Sequence, residues 1–267
     1  MSLPLPLQTL TQGHLNSFEQ CPRRYQYQYL EQLAAPLDPE FQNRTDWGSQ
    51  FHLLMQQYLL GLAIAPHLGA DPTMTQAIAA LVAAVPQLQT HATREAEHRR
   101  LLAWSEQLLL VVVYDLLVIE RDRAHILDWK TYPKPPNLKQ LAHNWQTLLY
   151  PFVLVETSDY EPEQVSMTYW FVQTDKTPES WRLDYTTPQH EQVRTRLCNL
   201  WTQLQTLTTD DGQRDVVFPA VDAQQHHQAC RFCPFQVRCQ RAEGENAESR
   251  GNAQQVATLP EITLSSM

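Results

Sequence analysis

The sequence predicts a single α/β domain with a mixed central β-sheet and helices on both faces of that sheet. The chain has 267 residues, of which 43% are hydrophobic, and this is enough to bury one sizeable core. Apolar residues recur at helical spacing through the first third of the chain, and a continuous β-branched run then follows, as in a buried central strand. Beyond it, strand and helix patterns alternate, which favours a sheet packed between helices.

The N-terminal third is predicted to be helical. Phe51, Leu54 and Met55 repeat at helical spacing, and Ser17 and Gln20 are spaced as a capping box. Alanine-rich sequence predicts a further helix. Helices are therefore expected over 14–33, 47–60, 74–85 and 91–103, and residues from about 61 to 100 are expected to form a helical insertion into the domain.

The segments "LLLVVVYDLLVI" (108–119) and "AHILDWKTY" (124–132) predict a β-hairpin, with the polar residues "ERDR" as its turn. The elements expected after it are a helix over 144–156, strands over 164–173 and 180–187, and a long helix over 188–208. This domain, residues 1–240, is expected to be followed by a disordered polar tail over 241–267, which lacks hydrophobic periodicity.

Two aspartates and a lysine are expected on one face of this hairpin. Residues i and i+2 of a strand point to the same side, so Asp128 and Lys130 lie side by side. With the turn midway between Arg121 and Asp122, the register places Asp115 opposite Asp128, with Cβ atoms about 4.5 to 5.5 Å apart. Facing carboxylates destabilise a sheet unless a cation lies between them, and Mg²⁺ or Mn²⁺ takes hard oxygen ligands. The pattern predicts a divalent-metal site; the alternative is a slipped register with a solvated salt bridge.

Three clustered cysteines are candidates for a metal–thiolate site. Cys230, Cys233 and Cys239 form C-x2-C-x5-C, and a four-coordinate site needs one more thiolate, which Cys21 or Cys198 could supply. Structural zinc sites commonly present two close cysteine pairs, which this spacing lacks, but zinc and an iron–sulfur cluster both stay open at this point. Cys198 lies in a helical pattern and is expected to be a small core residue.

Charge and composition exclude several classes of protein. The net charge of -9 argues against a protein that coats nucleic acid by charge alone, because such binding depends on lysine and arginine. No apolar run approaches the roughly 20 residues of a membrane span, "MSLPLPLQTL" has no signal-peptide pattern, and no P-loop is present. The protein is therefore expected to be cytoplasmic, without a membrane partner and without nucleotide-driven motor activity.

Taken in chain order, six motifs resemble the RecB-like branch of the PD-(D/E)xK nuclease superfamily, in particular AddB nuclease domains and CRISPR-associated exonucleases that carry an iron–sulfur cluster. The motifs are "CPRRY", "GSQFH", "YDLL", "DWK", "QTLLY" and "CRFCPFQVRC", and they extend from about residue 17 to 239. The resemblance implies a restriction-endonuclease-like core, with the cluster joining the N-terminal helix to the C-terminal segment.

The resemblance also implies a role for each matching residue. His52, Asp115 and Asp128 would bind Mg²⁺ or Mn²⁺ with the backbone carbonyl of Trp129, and Lys130 would be the catalytic lysine. Gln146 and Tyr150 would orient the active site and the nucleic-acid strand, and Glu97 would support it. The ligands of a [4Fe–4S] cluster would be Cys21, Cys230, Cys233 and Cys239. Considered alone, His52, Gln146 and Tyr150 are more often ordinary helix residues.

The implied function is metal-dependent hydrolysis of DNA, by an exonuclease that acts on single-stranded or frayed ends in repair or recombination, with a helicase or repair protein as a partner. Relatives often have a glycine three residues before the second-motif aspartate and a proline directly before it, where this chain has Val112 and Tyr114. Val112 bears on substrate preference. Two alternatives stay open: a nuclease of CRISPR adaptation, and a non-catalytic DNA-binding or docking module whose termini the cluster joins.

Overall fold

The structure, a computed structural model, describes residues 7–34, 39–65, 68, 71–89, 92–135, 137–172, 177–208, 216–222, 229–231 and 233–241. The strands are β1 (Gln8–Leu10), β2 (Thr93–Ser105), β3 (Leu108–Ile119), β4 (Ala124–Lys130), β5 (Val165–Phe171) and β6 (Glu179–Asp184). The helices are α1 (Gln12–Gln20), α2 (Pro22–Tyr25), α3 (Pro39–Leu59), α4 (Pro72–Ala84), α5 (Lys139–Ala142), α6 (Trp145–Glu156) and α7 (Thr187–Thr208). Among the described residues, no helix is both long and apolar enough to cross a membrane.

The six strands form one mixed sheet in which β3 pairs with three other strands. β2 pairs antiparallel with β3 along almost its whole length, and β4 pairs antiparallel with the end of β3 from Leu116 to Ile119. β1 pairs parallel with the start of β3, β4 pairs parallel with β5, and β5 pairs antiparallel with β6. Since β2 occupies one edge of β3, β1 and β4 share the other edge. Between β1 and β4, this edge of β3 has an unpaired gap. Asp115 lies at the end of the gap that is next to β4.

Helices cover both faces of the sheet, as the sequence predicts. On one face α1, α6 and α7 bury residues such as Phe18, Leu149 and Leu197 against β3 and β5. On the other face α3 and α4 bury residues such as Phe51 and Leu81 against β3 and β4. The prediction of a mixed α/β fold with a central sheet between helices is therefore confirmed.

The predicted hairpin register is confirmed. Leu116 pairs with Leu127 and Ile119 with Ala124, which is the register that places Asp115 opposite Asp128. The β-branched run of β3 is buried as expected for a central strand. The predicted helix over 144–156 and the predicted strands and long helix that follow it also match the observed elements, within a few residues at their ends.

The predicted helix over 91–103 is wrong, because Thr93–Ser105 is strand β2. Its alanine, glutamate and arginine residues favour helices, but eleven of its positions pair with β3, and this tertiary pairing outweighs the local preference. Of the expected helical insertion, Pro72–Ala84 is helical, whereas residues 93–100 belong to the sheet.

The first predicted helix differs from the expectation at both ends. It begins at Gln12, and its capping box is formed by Thr11 and His14, whereas Ser17 is a buried residue inside the helix. Cys21 then has an extended backbone, because the residue before Pro22 is disfavoured in the helical region, and helix α2 starts anew. Apart from Arg241, the expected disordered tail lies outside the described residues.

Candidate active site

The candidate site lies where β3 and β4 separate. Beyond the Leu116–Leu127 pair the two strands stop pairing, and β4 continues alongside β5 through Lys130. The Trp129 N–H crosses the gap and donates a hydrogen bond of 2.7 Å to Oδ2 of Asp115. The gap therefore holds the Asp115 carboxylate against the backbone of β4, beside Asp128.

Lys130 and Asp128 are held together by a glutamine from helix α6. Lys130 Nζ lies 2.6 Å from Asp128 Oδ1 and donates a hydrogen bond of 2.7 Å to Gln146 Oε1. Gln146 Nε2 donates a hydrogen bond of 2.6 Å to Asp128 Oδ2. Because Asp128 is 2% exposed and its partners are themselves largely buried, the ammonium group has little freedom to leave this position.

A second group joins three chain segments around Asp115. His52 Nδ1, on α3, lies 3.2 Å from Asp115 Oδ1, and one ligand atom each from His52, Glu97 and Asp115 lie within 4.8 Å of one another. Glu97 is the position of β2 opposite Asp115, and it has a φ of 49°, in the left-handed region that non-glycine residues rarely adopt. Ala96 and His98 pair with β3 on either side of it, so the backbone strain is confined to the residue that faces Asp115.

The charged groups of the site shift one another's pKa values. Burial raises the pKa of Asp128 above its usual range; Lys130 opposes this and Asp115 adds to it. For Asp115 burial also acts to raise the pKa, but His52, the Trp129 N–H and Lys130 together bring it below its usual range.

The other two titratable groups respond to these carboxylates. Burial acts to lower the pKa of His52, but the charges of Asp115 and Asp128 more than offset it, so the pKa is raised. Burial and the Asp115 carboxylate raise the pKa of Glu97 to about 7. Three carboxyl groups thus share a small space with one imidazole and one ammonium, and a divalent cation would relieve their repulsion.

This donor set fits a hard divalent cation. Carboxylate oxygens from Asp115, Glu97 and Asp128, with the imidazole of His52, are ligand types that Mn²⁺ accepts, and the carboxylates suit Mg²⁺. The structure brings His52, Asp115, Asp128 and Lys130 together, as the sequence suggests, and it gives Glu97 a more central position than a supporting role. Nothing in the sequence signals the left-handed backbone at Glu97.

Two predicted site residues have side chains that are buried in the core. Trp129 and Tyr150 are each 1% exposed. The Trp129 backbone reaches the site through its N–H, whereas the sequence-based hypothesis assigned its carbonyl to the metal. Tyr150 packs edge-on against Tyr114 at 5.3 Å between ring centroids, and its carbonyl accepts a hydrogen bond from the Tyr114 hydroxyl. Tyr150 thus anchors helix α6 one turn beyond Gln146 on the same helix face.

The four expected cluster ligands surround one small cavity between the α1–α2 junction and the C-terminal segment. Cys21, Cys230, Cys233 and Cys239 line it, with Arg24 and Arg241 among its other lining residues. Cys198 is exposed on α7, so the prediction that it is a core residue is wrong. Among the described residues, only the group around Asp115 brings three metal-ligating atoms within 4.8 Å of one another, so no three of these sulfurs meet at that spacing.

The position of Arg24 beside the thiols is not evident from the sequence, although "CPRRY" places it three residues after Cys21. The Nε of Arg24 is buried and has no hydrogen-bond partner, while its Nη1 donates to Gln20 Oε1 at 2.8 Å. A buried guanidinium N–H without an acceptor is costly. An anionic metal–thiolate centre in the cavity would supply that acceptor, so the residues present fit such a group.

Comparisons with known proteins bear on the fold and the family of this chain. A crystal structure of SSO0001 is similar over 86% of this chain and 85% of that one, with 15% identity and a TM-score of 0.41. A candidate exonuclease from Eubacterium rectale is similar over 74% of this chain and 80% of that one, with 10% identity and a TM-score of 0.50, which supports the fold alone. No curated protein matches. The family model of the PD-(D/E)XK nuclease superfamily matches residues 9–240, and the chain belongs to that superfamily.

Proposed function

We propose that this protein is a divalent-metal-dependent deoxyribonuclease that removes nucleotides from single-stranded or frayed DNA ends. The observation that carries the proposal is the adjacency of two groups in one gap of the sheet: His52, Glu97 and Asp115 around a common point, and Lys130 fixed by Asp128 and Gln146. A metal-dependent hydrolase of phosphodiesters uses a metal site together with a cation that contacts the phosphate.

The metal ligands are assigned to the three residues around Asp115, with Asp128 completing the site from β4. A divalent ion bound there supplies Lewis acidity toward a phosphodiester. Mg²⁺ and Mn²⁺ are the proposed ions, because the donors are predominantly carboxylates. His52 binds metal only in its neutral form, so metal binding is expected to release a proton from it.

Lys130 is assigned the role of the catalytic lysine. Its side chain is 13% exposed, and Asp128 and Gln146 hold its ammonium group in the gap where the substrate phosphate would bind. An ammonium held in a partly water-free gap stabilises negative charge that develops on the phosphate more strongly than a free one would. Gln146 and Tyr150 are assigned positioning roles, since Gln146 contacts both members of the pair and Tyr150 anchors its helix.

DNA as substrate and an exonuclease activity belong to the proposal. They are supported by the similarity of the fold to a candidate exonuclease and by the sequence motifs of RecB-like nucleases. The net charge of -9 favours a partner that supplies further DNA contacts, such as a helicase or repair protein. Repair or recombination in the cytoplasm is the proposed setting.

The same proposal includes a [4Fe–4S] cluster on Cys21, Cys230, Cys233 and Cys239. A tetrahedral zinc site with bonds of about 2.3 Å places its sulfurs about 3.8 Å apart, so sulfurs that surround a cavity at wider spacing favour the larger group. The unpartnered Nε of Arg24 supports an anionic occupant. Anaerobically purified protein should be brown, and Cys233→Ala should bleach it. Colourless protein with stoichiometric zinc would overturn the cluster and leave the nuclease proposal intact.

Substrate and polarity can be tested together. Single-stranded DNA, blunt duplex, duplex with frayed ends, closed circular DNA and RNA, each labelled at one end where an end exists, are incubated with Mg²⁺, with Mn²⁺ or with chelator. The proposal expects metal-dependent release of short products from linear single-stranded and frayed DNA, with circles uncut. Cleavage of circles would identify an endonuclease, and preference for RNA would contradict the assignment of DNA.

A further inference from the structure

Helix α3 carries a glycine one turn before His52. Gly48 is buried, ten residues into a helix of 21 residues, where glycine costs about 1 kcal/mol relative to alanine. It adopts no left-handed backbone conformation, so local conformation does not require a glycine there. The residue that lies opposite position 48 therefore accounts for the glycine.

Opposite Gly48 lies Thr131, the residue that follows Lys130 at the end of β4. A Cβ added at Gly48 would lie 2.8 Å from Thr131 Oγ1, closer than any ordinary carbon–oxygen contact, whereas Thr131 Cβ and Cγ2 would be 3.8 and 4.0 Å away. The backbone of α3 thus approaches β4 at this point because position 48 lacks a Cβ. Normal van der Waals contact begins at 3.4 Å, so with an alanine at position 48 the helix and Thr131 Oγ1 would have to separate by at least about 0.6 Å, by a shift of α3 or by rotation of the Thr131 side chain.

This close approach joins the two chain segments that carry His52 and Lys130. Gly48 and His52 are four residues apart and share one helix face, while Thr131 is bonded directly to Lys130. His52 Nδ1 lies 3.2 Å from Asp115 Oδ1, so a shift of α3 by half an ångström or more changes whether the imidazole and the carboxylates can bind one ion.

We infer that Gly48 is a positioning residue: because it has no side chain, α3 can approach Thr131 closely enough to place His52 beside the carboxylates of β2 and β3. The inference rests on the proposed metal site, of which His52 is a member. It goes beyond that proposal because the role assigned to Gly48 is steric: this residue has no side chain that could act on the substrate or the metal.

Single and paired variants test the contact. Gly48→Ala should raise the Mn²⁺ dissociation constant and the Mn²⁺ concentration for half-maximal cleavage by about 10-fold or more, since a misplacement of 1 Å can cost on the order of 100-fold. Thr131→Ala alone should leave both unchanged. In the Gly48→Ala/Thr131→Ala double variant, the methyl group added at position 48 faces only the Cβ of residue 131. The Mn²⁺ affinity of this variant should therefore return toward that of wild type. Thr131→Val, which keeps the branched shape, should not rescue it.

Two further readouts separate positioning from a loss of folding. Alanine is the better helix former, so the unfolding temperature of the Gly48→Ala variant should not fall in step with its Mn²⁺ affinity. In a His52→Ala background, Gly48→Ala should have no further effect on Mn²⁺ binding, because the two changes act through one ligand. An additive effect, or unchanged affinity in Gly48→Ala alone, would overturn the inference. If His52→Ala itself leaves Mn²⁺ binding unchanged, the proposed metal site fails first.

Discussion

The imidazole of His52 and the carboxylate of Asp115 meet at 3.2 Å, although 63 positions separate them in the chain. Helix α3 approaches from one face of the sheet, and Asp115 lies at the border where β3 loses its pairing with β4. Glu97 from β2 completes the group. The site thus depends on three elements from one half of the domain, while Lys130, Asp128 and Gln146 bring β4 and α6 to it.

Glu97 should behave as a metal ligand whose charge is unfavourable without metal. Glu97→Gln is expected to weaken Mn²⁺ binding by about 10-fold or more, and at the same time to raise or preserve the unfolding temperature of the metal-free protein, because repulsion with Asp115 is removed. Calorimetric Mn²⁺ titration and thermal unfolding check both signs. Glu95→Gln, the same change on the same strand in a residue paired with His98, is the control and should leave Mn²⁺ affinity unaltered.

Gln146 should affect turnover more than metal binding. Gln146→Met removes both hydrogen bonds to Lys130 and Asp128 but keeps the side-chain length. We expect kcat to fall by about 10- to 100-fold, since the ammonium group loses its fixed position, with the Mn²⁺ dissociation constant changed by less than about threefold. Gln203→Met on the exposed face of α7 is the matched control. A large loss of Mn²⁺ affinity with unchanged kcat would show that Gln146 supports the metal instead.

The capping box of α1 should make stability depend on pH. Burial lowers the pKa of His14 to about 4, and its Nδ1 accepts a hydrogen bond from the Thr11 N–H in the neutral form. The unfolded chain therefore binds the proton more readily, so the free energy of unfolding is expected to fall as the pH drops from about 6.5 to about 4, by up to roughly 3 kcal/mol.

His14→Gln provides the comparison, because glutamine is a standard partner in this capping position and does not titrate. Denaturant unfolding at several pH values should show a flatter dependence between pH 6.5 and 4 for this variant than for wild type. Parallel curves for the two proteins would show that His14 is not the group responsible.

Arg24 should retain metal at the cysteines. If its Nε–H donates to a metal–thiolate centre, Arg24→Gln should accelerate loss of bound metal to a chelator by about 10-fold or more, which corresponds to a charge-assisted hydrogen bond. The released iron or zinc is measured directly, so the prediction applies to either metal. Arg99→Gln removes an exposed arginine elsewhere and should leave the release rate unchanged. Equal rates in all three proteins would assign Arg24 a packing role only.

The sequence predicts the parts of the site that depend on strand geometry. The placement of Asp115, Asp128 and Lys130 on one face of the hairpin follows from the two-residue period of a strand and from the position of the "ERDR" turn. Both are local properties of the sequence. The sheet assignment of β2 does not follow, because "TREAEHRRLLAWS" has residues that suit a helix and becomes a strand only by pairing with β3.

Contacts between distant elements are the part that the sequence does not reveal. The approach of Gly48 to Thr131 depends on how α3 lies across β4, and the cavity beside the unpartnered Nε of Arg24 depends on a C-terminal segment more than 190 positions away. A glycine inside an otherwise helical pattern is a signal that such a contact exists, but it does not name the partner.

The most direct test of the account compares wild type, Asp115→Ala and Lys130→Ala for both Mn²⁺ binding and cleavage of end-labelled single-stranded DNA. We expect Asp115→Ala to lose metal binding and cleavage together, and Lys130→Ala to bind Mn²⁺ normally but to cut at least about 100-fold more slowly. Cleavage at the wild-type rate by either variant, or a wild type that binds DNA and Mn²⁺ but never cuts, would contradict the assignment of the gap between β3 and β4 as the active site.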